Sequence, residues 1–147
     1  MANYFIRFIP ENIELSLNES KINLIRNLKW KGHRPQVISN DVIKFADAGQ
    51  NFETVKCPFC CVDIMEWWGS AMDDAYSGNK GFVNLDVTMP CCASKTSLHT
   101  LDYNFPQGFY KAMVEINATV DDLDANEISQ NLLSITREKW RVVHSRY

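Results

Sequence analysis

Cys57-Pro58-Phe59-Cys60 and, further along, Pro90-Cys91-Cys92 are the stretches from which the rest of the chain can be read. Four cysteines stand in two knots with 30 residues between Cys60 and Cys91. That is the arrangement of two halves of one tetrahedral metal site. Zinc held by thiolates takes four soft ligands, commonly as two close pairs that the fold brings together. A Cys-x-x-Cys turn supplies one pair because a tight turn aims two sulfurs, and its own backbone N–H groups, at one point. The expected cofactor is a single Zn2+ on Cys57, Cys60, Cys91 and Cys92, with a structural role.

These residues, and no others in the chain, resemble the zinc-ribbon and zinc-knuckle class. The resemblance implies a hairpin arm that carries the first ligand pair into the metal turn. Two positions depart from the pattern. Cys61 stands where a ribbon has Gly, and the adjacent pair Cys91-Cys92 stands where a ribbon has a second Cys-x-x-Cys. Adjacent ligands strain a turn, so Cys61 and His99, seven residues after Cys92, stay open beside Cys92 as the fourth ligand.

A chain of 147 residues, 46% hydrophobic and 22% charged, has the size and composition of one soluble domain over 1–147. No window approaches the roughly 18 apolar residues of a membrane span. The first ten residues alternate like a strand and lack the pattern of an export signal, so the expected location is cytoplasmic. Thiols stay reduced there, and an odd count of five cysteines also argues for metal over disulfides. A net charge of −3 gives no electrostatic reason to bind nucleic acid.

The expected elements follow from periodicity and punctuation. Tyr4 to Ile9 alternates as a strand, ended by Pro10. Ser16-x-x-Glu19 fits a capping box for a helix striped by Ile22, Leu24, Ile25 and Leu28. Val42 to Ala46 and Phe52 to Cys57 read as two strands joined by a turn at Gly49, the second delivering Cys57 to the metal. Asp63 to Ser77 divides into an apolar half with Trp67 and Trp68 and a polar half with Asp63, Glu66, Asp73 and Asp74, the mark of a half-buried helix. Phe82 to Met89 alternates as a strand that ends at the second knot, so pairing it with the strand before Cys57 would join the knots. Tyr110 to Ile116 is a further strand, Asp124-x-x-Glu127 caps a last helix, and Trp140 to Tyr147 is a last strand. His33 and His144 have no motif around them.

The order of elements predicts an α+β fold, a mostly antiparallel sheet with about three helices. A zinc-ribbon-like clamp would form from 52–62 and 87–93. Catalysis finds little footing. No His-x-Glu accompanies the cysteines, as a zinc deaminase requires, and there is no phosphate loop or nucleophile elbow. The expected function is a protein-interaction module of the adaptor or immunity (neutraliser) type. The alternatives are a thiol redox or zinc-dependent enzyme using Cys57-Pro-Phe-Cys60, or a ribbon-like factor associated with nucleic acid. Trp67, beside Asp73 and Asp74 on an acidic helix face, is the expected docking point for a partner with a basic surface.

Overall fold

The stretch Gly108–Ile116 is buried along nearly its whole length, which only a central strand with both faces covered can be. In the computed structural model, which describes residues 3–118 and 124–147, the elements run in this order. They are β1 (Tyr4–Pro10), α1 (Glu19–Arg26), β2 (Gln36–Ala46), β3 (Val55–Lys56), α2 (Met65–Ala75), β4 (Asp86–Thr88), β5 (Lys95–Ser97), β6 (Asp102–Tyr103), β7 (Gly108–Ile116), α3 (Ala125–Thr136) and β8 (Trp140–Arg146). The main sheet has the order β2-β7-β1-β8 and is antiparallel throughout. The chain is α+β.

One face of this sheet is covered by α1 and α3. Cross-strand neighbours Phe8 and Val114, and Ile6 and Ile116, project into a core with Ile25, Trp30, Ile128 and Leu132. On β8, Trp140 and Val142 face this core while Val143 turns to a second cluster with Ile9, Ala46, Tyr110 and Met113. Arg7 and Glu115 form a cross-strand ion pair at 2.7 Å.

Both well-formed helix starts have side-chain caps. Asp124 Oδ1 accepts the Glu127 N–H, as Asp124-x-x-Glu127 predicts. α1 starts later than its sequence suggests. Asn18, not Ser16, accepts the third N–H of the helix, that of Lys21, at 2.9 Å. The helix is correspondingly short; Ile25 is fully buried and Leu24 is exposed.

The segment between β2 and β7 departs most from the sequence reading. β2 and β3 do not form a hairpin: β2 pairs with β7, and β3 pairs with β6. The turn at Gly49 points the chain elsewhere because residues 48–50 pair with the end of β8. Arg146 donates its N–H to Ala48, and its carbonyl accepts the Gln50 N–H at 2.7 Å. Gly49 has φ +61, and a Cβ there would run into the Arg146 carbonyl. The strand expected over 82–89 is reduced to β4, paired with β5. The knots are therefore not joined by pairing the strands that precede them. They meet through a shared core of Val55, Cys57, Ile64, Leu85, Met89 and Leu98. No helix among the described residues is long and apolar enough to cross a membrane.

Candidate metal centre

Each cysteine knot is a six-residue loop whose backbone closes on itself twice. In the first loop, 57–62, Cys57 donates its N–H to Val62 and accepts that of Cys61. In the second, 89–94, Met89 donates its N–H to Ser94 and accepts that of Ala93. The four distances lie between 2.8 and 3.0 Å. Pro58 and Pro90 hold the second place in each loop, where a fixed φ suits a turn and no N–H is needed. Cys61 and Ala93 hold the fifth place with φ +64 and +60. The left-handed conformation there is the reason a ribbon has Gly at this position.

The two loops are thus the same structure with different cysteine placement. The first carries Cys57 and Cys60 at places one and four. The second carries Cys91 and Cys92 at places three and four, with Met89 at place one, where it is 1% exposed and packed in the core. The adjacency of Cys91 and Cys92 is a shift of one ligand along an otherwise ordinary loop.

Facing each other, the loops bring all four sulfurs within 4.8 Å of one another. Cys57 Sγ lies 3.7 Å from Cys92 Sγ, and Cys60 Sγ lies 3.1 Å from Cys91 Sγ. Sulfurs at about 2.3 Å from a tetrahedral zinc stand about 3.8 Å apart, which falls inside this spread. The cluster can hold a metal ion.

The electrostatics suit a cation. Burial opposes ionisation of the Cys57 thiol, but backbone N–H groups of Cys60 and Phe59, with the Cys91 and Cys60 thiols, outweigh it and lower its pKa to about 7. The Phe59 N–H lies 3.4 Å from the sulfur. For Cys91 the thiol of Cys60 has the largest effect; with burial, Cys57 and Cys92 it pushes the pKa up to about 12. Four thiolates so close repel one another, and a divalent cation removes that penalty. The hydroxyl of Ser94 lies 3.3 Å from Cys92 Sγ, within hydrogen-bond reach of that sulfur.

The other candidates fall elsewhere. Cys61 is exposed and lies outside the cluster; its N–H closes the loop. His99 is buried away from the sulfurs, where its Nδ1 accepts the Phe109 N–H at 3.0 Å and its Nε2 faces the Glu11 carboxylate at 3.7 Å. Arg141 ties the same corner together, donating to both Glu11 oxygens and to the His99 carbonyl. Sequence reasoning missed this polar corner, since nothing in the spacing of Glu11, His99 and Arg141 signals it.

Asp63 and Ile64 separate the first loop from α2. The Ile64 N–H bonds the Val55 carbonyl, and Asp63 Oδ1 accepts the Met65 N–H at 2.8 Å. Trp67 and Trp68 are both half-buried and pack against the core that joins the loops, the Trp68 ring 5.2 Å from that of Phe52 and its Nε1 donating to Tyr103 Oη. Trp67 also lines a depression together with Ser70 and Asp74, on the same helix face. Asp73 is exposed and lies outside that depression. The chain matches no protein-family model, no curated protein and no solved structure.

Proposed function

We propose that Cys57, Cys60, Cys91 and Cys92 hold one structural zinc, and that the chain works as a protein-interaction module. The observation that carries the metal reading is the meeting of two like loops, each offering two sulfurs, with all four within 4.8 Å of one another. Zinc suits it because an all-thiolate tetrahedron satisfies a d10 ion with no redox chemistry of its own. A full set of four protein ligands leaves no open position for a substrate or a reactive water.

Zinc would supply the cross-link that 57–62 and 89–94 lack. Neither loop lies in the main sheet, and β3 and β4 are two- and three-residue strands. Binding of a structural zinc is worth on the order of 10 kcal/mol of folding free energy in small zinc modules. That is ample to hold so little regular structure.

A thiol redox role fits the geometry less well. In that chemistry the two cysteines of one Cys-x-x-Cys react with each other at a helix N-terminus. Here Cys60 lies against Cys91 of the other loop, Cys57 is fully buried, and α2 starts only at Met65.

Metal analysis of protein purified without chelator tests the proposal. One zinc per chain is expected, with loss of the metal and a large fall in melting temperature under a strong chelator. Metal-free protein with unchanged melting would overturn it.

A further inference from the structure

Basic residues are sparse between the two cysteine loops, although Lys56, the bridge partner of Asp63, and Lys95, the strand partner of Thr88, stand at the two ends of that stretch. The stretch 57–94 holds five carboxylates, Asp63, Glu66, Asp73, Asp74 and Asp86, and one basic residue, Lys80. That surplus of four exceeds the surplus of three carried by the whole chain, so the remainder is slightly basic. None of the five takes part in an ion pair among the described residues. Elsewhere Glu11, Glu14 and Glu115 are each matched by a cation, while Glu19, Asp41, Glu53, Asp102, Glu127 and Glu138 have no ion pair among the described residues either.

Two depressions lie on either side of Trp67. One runs between the start of α2 and the second metal loop, with Val62, Met65, Trp67 and Pro90 as its apolar lining and Asp63 and Glu66 as its acids. The other runs between the middle of α2 and β4, with Trp67, Ala71 and Val87 lining it and Asp74 and Asp86 as its acids. No lysine, arginine or histidine lines either one. Val62 is 49% exposed, well above what a core valine shows. A half-buried tryptophan flanked by exposed apolar side chains and rimmed by charge has the composition of a protein-binding surface.

We propose that this double groove over α2 binds a lysine- or arginine-rich segment of a partner protein, with apolar side chains of that segment packed against Trp67. The sign of the rim decides between classes of occupant. Phosphates of nucleic acid and anionic membrane surfaces are repelled by unpaired carboxylates, whereas a basic polypeptide is steered in. A tetrathiolate zinc adds a formal surplus of two negative charges beside Pro90. The inference rests on reading the chain as an interaction module, and Pro90 and Cys91 of the second cysteine loop form one wall of the groove.

The test titrates the zinc-loaded chain with a short fluorescein-labelled peptide alternating lysine with leucine, and with its glutamate-for-lysine counterpart, followed by anisotropy. The lysine peptide should bind and the glutamate peptide should not. Glu66→Lys with Asp74→Lys should weaken the lysine peptide about tenfold or more. Asp41→Lys with Glu53→Lys, exposed positions outside the groove at the same net charge, should weaken it far less. Trp67→Ala should weaken it at unchanged charge, with circular dichroism verifying the fold. Equal loss from the two charge-reversed pairs, or binding of both peptides, overturns the proposal. So does self-association that occupies the groove, seen by sedimentation as a dimer that the peptide cannot dissociate. Zinc is counted on the same samples, so peptide binding without metal would overturn the zinc reading and leave the groove standing.

Discussion

Met89 occupies in the second metal loop the place that Cys57 occupies in the first. Both residues donate their N–H to the loop's sixth residue, both accept from its fifth, and both are followed by proline. The second loop therefore has the backbone of a Cys-x-x-Cys loop with methionine at the place of its first cysteine and a cysteine, Cys91, two places later.

This equivalence makes a rescue possible. Cys91→Ala leaves three thiolates and should lose tightly held zinc, with a marked fall in melting temperature. Adding Met89→Cys to that variant puts a thiol at the place matching Cys57. It should restore one zinc per chain and most of the lost melting temperature. Metal analysis and thermal denaturation of both variants check this; a double variant no better than Cys91→Ala would mean that the two loops are not equivalent.

Cys61 tests the ligand set from the other side. Its φ of +64 is costly for any residue with a Cβ, by about 1–2 kcal/mol, and glycine avoids that cost while losing some chain entropy. Cys61→Gly should keep one zinc per chain and raise stability by up to about 1 kcal/mol. A fall in zinc content would show that Cys61, and not Cys92, is the fourth ligand.

How far the sequence discloses this structure depends on whether the signal is local. The α+β class, β1, β7, β8 and the cap at Asp124 all follow from alternation and side-chain caps, which are properties of neighbouring residues. The meeting of the four cysteines was also legible, because tight turns with thiols leave few other uses for them. The pairing of β3 was not. It joins Val55 and Lys56 to Tyr103 and Asp102, almost fifty places away, while the turn at Gly49 seats against the still more distant Arg146 carbonyl. The equivalence of the loops was present in the sequence but hidden. Aligning Cys57-Pro58-Phe59-Cys60-Cys61 on Met89-Pro90-Cys91-Cys92-Ala93 by their prolines brings it out, whereas aligning the first cysteines does not.

Gly49 and Gly81 should be the hardest turn glycines to replace, since each has a positive φ and a backbone carbonyl where a Cβ would stand. Gly49→Ala meets both a positive φ and the Arg146 carbonyl, and is expected to cost about 3 kcal/mol or more. Gly32→Ala, at φ +83 but with open space around it, should cost about 1–2 kcal/mol. Urea unfolding of the two variants gives the comparison; equal losses would mean that the close approach to β8 contributes nothing.

His99 should make the chain acid-sensitive. Burial, followed by the nearby Arg141 charge, lowers its pKa from 6.5 to about 4, with Glu11 opposing. Its Nδ1 accepts the Phe109 N–H, so a proton there would break that bond. Between these pKa values the folded chain keeps His99 neutral while the unfolded chain protonates it. Unfolding then takes up a proton, so stability falls as the pH drops from about 6.5 toward 4, and above that window this residue has no effect. His99→Asn keeps an acceptor near the Nδ1 position without the titration, and should flatten the decline over that window. An equal slope in wild type and variant would remove His99 as the cause.

Four-sulfur coordination of one zinc by two like loops can be read by X-ray absorption at the zinc K-edge. A single shell of four sulfur atoms at about 2.3 Å from zinc is expected, lost on replacing any of Cys57, Cys60, Cys91 or Cys92 but unchanged in the Cys61→Gly variant. A shell mixing sulfur with nitrogen or oxygen at about 2.0–2.1 Å would mean an open or histidine-completed site, and would contradict it.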